Sequence, residues 1–114
     1  MPHITLRHSD NLNDRSFIPF FKDLHSLLVN NLGVKLTSCS STVIPHSQYL
    51  VGDGDYKNAF IHLEIKVKPN IDKIALDTTG AAALEMLKHY IGNSTDLEIK
   101  ISVDCLEVTK YFKS

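Results

Sequence analysis

Met1-Pro2 opens the chain, and the pair carries the sharpest chemistry in it. Initiator methionine is commonly trimmed before a small second residue, and trimming here exposes a prolyl secondary amine. A generic α-amine titrates near pH 8, and a general base works best when its pKa lies close to the operating pH. An apolar pocket holding a lysine or arginine disfavours the protonated amine and brings it toward that range. With Met1 in place the Pro2 nitrogen is an amide and has no such role. Met-Pro is also a common start without chemical meaning, so position 2 by itself decides nothing.

Other constellations point to less. The six histidines (His3, His8, His25, His46, His62, His89) include no i,i+4 pair and have no carboxylate at ligand spacing, so no metal site is expected. Cys39 and Cys105 are far apart with no signal peptide ahead of them, which reads as two reduced thiols in a cytoplasmic protein. Twelve basic and thirteen acidic residues are intermixed for a net charge of -1. That balance leaves no electrostatic footprint for nucleic acid or an anionic membrane. No apolar stretch has the length of a bilayer span.

At 114 residues and 43% hydrophobic content, the chain is read as one domain over 1–114, able to bury roughly two thirds of its unfolded surface. Pro2 to His8 alternates Pro2, Ile4 and Leu6 against His3, Thr5 and Arg7, the period of a half-buried strand. Polar residues 10–16 supply caps for a helix marked by Phe17, Phe20, Phe21, Leu24, Leu27, Leu28 and Leu32. Pro19 is tolerated near its first turn, and Gly33 ends it. The Ser/Thr-rich run over 37–42 leads into Val43 and Ile44 as a second strand, and 52–55 is a turn.

The second half repeats this order. Ile61, Leu63, Ile65 and Val67 alternate with His62, Glu64, Lys66 and Lys68 as strand three; a helix over 72–91 follows, ending at Gly92; Leu97, Ile99, Ile101 and Val103 mark strand four. Two βαβ units result, over 2–51 and 57–108. Right-handed crossovers place both helices on one face of a four-stranded mixed sheet in an α+β fold. The other face is polar: either a solvated back, or the wall of a wet channel where three subunits meet. The same element order also describes a ferredoxin-like scaffold, so pattern alone leaves the strand order open.

Specific residues narrow this. Pro2-His3, Ser9-Asp10-Asn11, Asp53-Gly54-Asp55-Tyr56 with Ala59-Phe60-Ile61-His62, and Tyr111-Phe112-Lys113 stand in the order found in the 5-carboxymethyl-2-hydroxymuconate isomerase family, which the chain resembles along almost its whole length. That family lies within the tautomerase/macrophage migration inhibitory factor-like superfamily. The resemblance implies the tautomerase/MIF-like fold, a cytoplasmic homotrimer, and an isomerase that needs no cofactor. Pro2 would be the acid/base that moves a proton along an unsaturated keto or enol acid. His3 and Tyr56 are carried over as substrate-binding candidates. His3 and His62 also belong to the polar face, where a structural hydrogen bond accounts for them, and packing accounts equally for Tyr56.

Active relatives place arginine near the second strand and again after the third to hold substrate carboxylates. Here those positions fall at Ser41, within one residue of Ser40 or Thr42, and at Ile71; Arg7 and Arg15 are the only arginines. Ser41 is thus the substrate-binding candidate at a position stripped of its charge. A charge-assisted hydrogen bond contributes about 1.5 to 3 kcal/mol, so one lost fork weakens carboxylate handling by about 10- to 150-fold. Lysines 35, 57, 66, 68 and 73 offer point charges without the bidentate fork. The competing reading is a non-catalytic trimeric protein that binds small ligands on the same scaffold. Relatives also carry a further C-terminal segment beyond the position of Lys113.

Overall fold

The computed structural model describes residues 1–93 and 96–114. Its elements follow in the order β1 (His3–Ser9), α1 (Ile18–Leu32), β2 (Ser40–His46), β3 (Asn58–Val67), α2 (Lys73–Ile91) and β4 (Glu98–Glu107). Short 3-10 turns at Asp10–Leu12 and Leu36–Ser38 flank α1.

The sheet runs β2-β1-β3-β4. β1 pairs parallel with β2, β3 pairs parallel with β4, and the halves join through an antiparallel β1–β3 ladder. Each helix therefore connects two strands that are direct neighbours. A ferredoxin-like sheet would interleave the strands of the two units. The observed order resolves the ambiguity that periodicity left open, in favour of two intact βαβ units side by side.

Period-two alternation decides what each face does. Along β1, Ile4, Leu6 and His8 are buried beneath the helices; along β3, Ala59, Ile61, Leu63, Ile65 and Val67 are buried. Side chains at the alternate positions, including Arg7, His62, Glu64 and Lys66, lie on the opposite, polar face. The edge strand β4 keeps the alternation, but Ile99, Ile101 and Val103 are only partly covered. β2 is less regular, with Pro45 standing where an edge strand tolerates a missing donor.

The helices obey their sequence signals. Pro19 lies in the first turn of α1, Phe20, Phe21, Leu24 and Leu28 are buried, and Gly33 at φ 67 closes the helix with its N–H on Val29 O at 3.1 Å. A β-carbon is disfavoured in that left-handed conformation. In α2 the Asp72 carboxylate accepts from Ile74 N at 3.1 Å, and Leu76, Thr79, Ala83, Leu87 and Ile91 form the buried stripe. Thr79 is polar and so escaped the apolar pattern; its hydroxyl donates to Ala75 O at 2.7 Å. A β-carbon on Gly80 would come within 3.0 Å of Cys105 Sγ, so that glycine lets α2 approach β4 closely. No helix among the described residues is long and apolar enough to cross a membrane.

Leu63 is fully buried at the centre of β3, within the core that the buried residues of both helices share. Leu63→Ala is expected to cost about 2 to 5 kcal/mol, the range for truncating a core leucine. Urea unfolding checks this; a loss below about 1 kcal/mol would place the centre of the core elsewhere.

Candidate functional site

Topology gathers one end of the sheet around Pro2. β1 and β2 begin there, and β3 and β4, which run the other way, end there. The loop after α1, the residue after β3 and the tail after β4 therefore converge on the N-terminus. Between them lies a cavity of about 320 Å³ lined by Met1, Lys35, Ser38, Lys68, Tyr111 and Lys113 together with Gly33 and Val34.

Pro2 is buried, and its carbonyl accepts from Ser40 N at 3.2 Å, an extension of the β1–β2 ladder. The Met1 ammonium donates to Tyr111 Oη at 3.2 Å. The Tyr111 ring lies 6.2 Å from that of His3, which is exposed on the polar face with its Nδ1 2.9 Å from Ser40 Oγ. Cys39 is half-buried nearby. Burial pushes its thiol above the usual value, and the N-terminal ammonium pulls the other way.

The remaining sequence candidates separate from this cluster. Ser40 and Ser41 point to opposite faces, and Ser41 Oγ sits under α1, 2.7 Å from His25 Nε2. Ile71, at the second arginine position, is partly buried and packs on the apolar core. Tyr56 precedes β3 at the opposite end of the sheet and is 81% exposed. Ten strand residues at about 3.4 Å each put it roughly 30 Å from the Pro2 end of the same protomer.

Of the lysines considered as substitutes, only Lys35 and Lys68 reach the cavity. Lys66 pairs with Glu64 at 3.7 Å, and Lys57 lines a separate acidic hollow with Asp53, Asp55 and Glu98. Lys73 starts α2. Lys113 and Tyr111 also line the cavity, and nothing in periodicity brings a tail residue beside residue 1. The Asp53–His62 block turns out to shape the chain. Asp53 Oδ1 accepts from Asp55 N at 3.0 Å and from Asn58 Nδ2 at 3.1 Å, and Asn11 Nδ2 donates to Asn58 O at 3.0 Å.

On the polar face, His62 Nδ1 lies 2.6 Å from Ser102 Oγ and its Nε2 lies 3.1 Å from Asp104 Oδ2. The composition is that of a serine-hydrolase triad, but the group stands on an open sheet surface and lines neither of the two cavities above. Its bonds tie β3 to β4 across the sheet. Among the described residues, no group of three or more His, Cys, Asp or Glu is placed to hold a metal ion.

This architecture is the tautomerase fold. A crystal structure of a 5-carboxymethyl-2-hydroxymuconate isomerase from Deinococcus radiodurans R1 matches with TM-score 0.85 at 20% identity, covering 98% of this chain and 88% of that one. A 5-carboxymethyl-2-hydroxymuconate delta-isomerase matches at 0.76 with 15% identity over 100% and 87%. A fused 4-OT wild type symmetric trimer matches at 0.70 with 11% identity over 96% and 89%. No curated protein matches the chain by sequence. The 5-carboxymethyl-2-hydroxymuconate isomerase family model, however, aligns with residues 2–113, and the chain belongs to that family.

Burial holds the His25 imidazole below the ordinary histidine pKa of 6.5. A depressed folded-state pKa means the unfolded chain binds the proton more readily. Its contribution to stability is therefore present above 6.5 and lost as pH falls below that value. His25→Gln is expected to flatten the decline of the urea midpoint below pH 6.5; an unchanged slope would show that burial at His25 does not govern it.

Proposed function

We propose that the protein is a cofactor-independent tautomerase that shifts a proton in an unsaturated keto or enol acid, with the Pro2 amine as acid/base once Met1 is removed. The observation that carries this reading is the cation-lined cavity at the N-terminal end of β1, in a chain that belongs to an isomerase family. Removing Met1 vacates the part of the cavity its residue occupies and leaves the Pro2 nitrogen as the terminal amine. Burial of the ring and the neighbouring ammonium groups both disfavour a protonated amine, which keeps it available as a base near neutral pH.

In the forward step the Pro2 nitrogen lone pair takes a proton from an enol hydroxyl or from the carbon beside a carbonyl. The released electron pair moves into the conjugated system, and the resulting prolinium returns the proton at a carbon further along. No net proton, electron or water is exchanged. The substrate is a small molecule, and the whole chain over 1–114 acts as one tautomerase unit. His3 borders the site through Tyr111. Ser41, bonded beneath α1, supplies no direct contact, and Tyr56 reaches a Pro2 site only from a neighbouring subunit.

The assembly is a homotrimer. On the sheet face opposite the helices, Arg7, His62, Glu64, Lys66 and Asp104 form a polar array that lies outside the apolar core, and a fused 4-OT symmetric trimer has this fold. Light scattering at micromolar concentration should report three times the monomer mass; a monomer would overturn the trimer.

The catalytic test begins with intact mass to establish loss of Met1. Conversion of an enol arylpyruvate to its keto form should then exceed background. Pro2→Ala, which leaves a primary amine, should lower kcat/KM by at least about tenfold, part of the about 10²- to 10⁴-fold a positioned base contributes. Equal rates would remove Pro2 from the mechanism. Ligand binding without any turnover would instead favour the non-catalytic binding protein.

A further inference from the structure

We propose that Lys35, Lys68 and Lys113, together with Tyr111, form an anion cradle that recognises the carboxylate of a small 2-oxo or 2-hydroxy unsaturated acid by charge. The inference rests on the functional reading above and adds the residues that hold the substrate.

Three ammonium groups from three separate segments line one cavity with the N-terminal amine, and no carboxylate is among its lining residues. Gathering like charges is unfavourable, and three lysines elsewhere have acids close by. Lys66 lies 3.7 Å from Glu64, Lys88 lies 3.4 Å from Glu85, and Lys57 shares its hollow with acids. Among the described residues none of the three cavity lysines is in an ion pair. Uncompensated positive charge around a hollow of about 320 Å³ calls for an anion that arrives from solution.

Tyr111 defines how that anion would lie. Its hydroxyl is 3.2 Å from the Met1 nitrogen, one residue from the Pro2 nitrogen, so once Met1 is gone it is a donor close to the reacting amine. With the carboxylate on the lysines, the carbonyl or enol oxygen next to it falls to Tyr111. Ammonium groups have no fixed fork, so recognition follows charge rather than the planar geometry an arginine imposes. The lysines thus occupy the role left empty at Ser41 and Ile71.

The experiment uses the Met1-processed Pro2→Ala protein, which separates binding from turnover, and titrates it with 3-phenylpropanoate and with the corresponding neutral amide. The acid should bind at least about tenfold more tightly, with an advantage that shrinks as salt rises. Lys68→Gln and Lys113→Gln should each weaken acid binding about 2- to 5-fold and leave amide binding unchanged. Lys88→Gln, on α2 beside Glu85, should change neither. In the protein with Pro2 intact, Lys68→Gln should raise KM for the arylpyruvate more than it lowers kcat, the signature of lost ground-state binding. Equal affinity for acid and amide, or lysine variants that bind and turn over like the parent, would overturn the cradle while leaving Pro2 catalysis standing. Lysine-dependent acid binding with no turnover in the protein retaining Pro2 would overturn the isomerase reading and leave the cradle standing.

Discussion

The antiparallel ladder between β1 and β3 is the constraint on which the molecule depends. It sets Ile4 against Ile65, Leu6 against Leu63 and His8 against Ile61, so the buried rows of both central strands face the helices together. A slip of one residue would turn every one of these side chains to the polar face. The same ladder orients the two βαβ units head to tail, which is why the starts of β1 and β2 meet the ends of β3 and β4. The cavity at Met1 is a consequence of that orientation: its residues come from positions 1, 33–35, 38, 68, 111 and 113, joined by strand direction rather than by sequence proximity.

Charge placement follows from the same geometry. Strands that alternate polar groups on one face can bond to one another across the sheet, as His62 does with Asp104. Residues just beyond the strand ends lie outside that ladder and have no partner on a facing strand. Lys68 stands in such a position, and Lys35 and Lys113 lie outside the strands altogether, in the loop before β2 and the tail after β4, whereas the acids Asp53, Asp55 and Glu98 collect at the opposite end with Lys57. A net charge of -1 conceals this polarity, because composition sums what the fold separates.

The helices and three of the four strands were legible because their signals are local. Apolar spacing placed α1 and α2, Gly33 marked a left-handed stop that occurs at φ 67, and β3 alternates without a break. β2 was harder, since Ser40-Ser41-Thr42 has no apolar rhythm to say which side chain faces inward. The neighbouring serines divide between His3 and His25, and a one-residue uncertainty in alignment became a difference of sheet face. Strand order lay beyond periodicity, which does not encode pairing. The most distinctive block, Asp53–His62, signalled family through turn chemistry, and its side chains build the entry to β3 far from Pro2. Tyr111 and Lys113 follow the last strand, where no periodic pattern assigns a position; only the tertiary fold brings them to the first residue.

The attachment of the terminus bears on what processing would do to this site. Pro2 is held through its own carbonyl, which accepts from Ser40 N, and β1 continues directly into the ladder with β3 at His3 and Lys66. Met1, by contrast, is tied through its ammonium to one phenolic hydroxyl. Loss of Met1 removes that single bond and leaves the strand register untouched, so the new secondary amine would be presented by a residue already fixed in the sheet. Catalytic groups on rigid elements keep their geometry better than groups on loops, since less order must be imposed when substrate arrives. The lysines around it are the opposite case: each reaches in on a flexible stem from a loop or tail and can adjust to the ligand. A base fixed in the sheet within an adaptable ring of charge would suit the proposed reaction, whose proton path is short but whose substrate changes shape as its double bond moves.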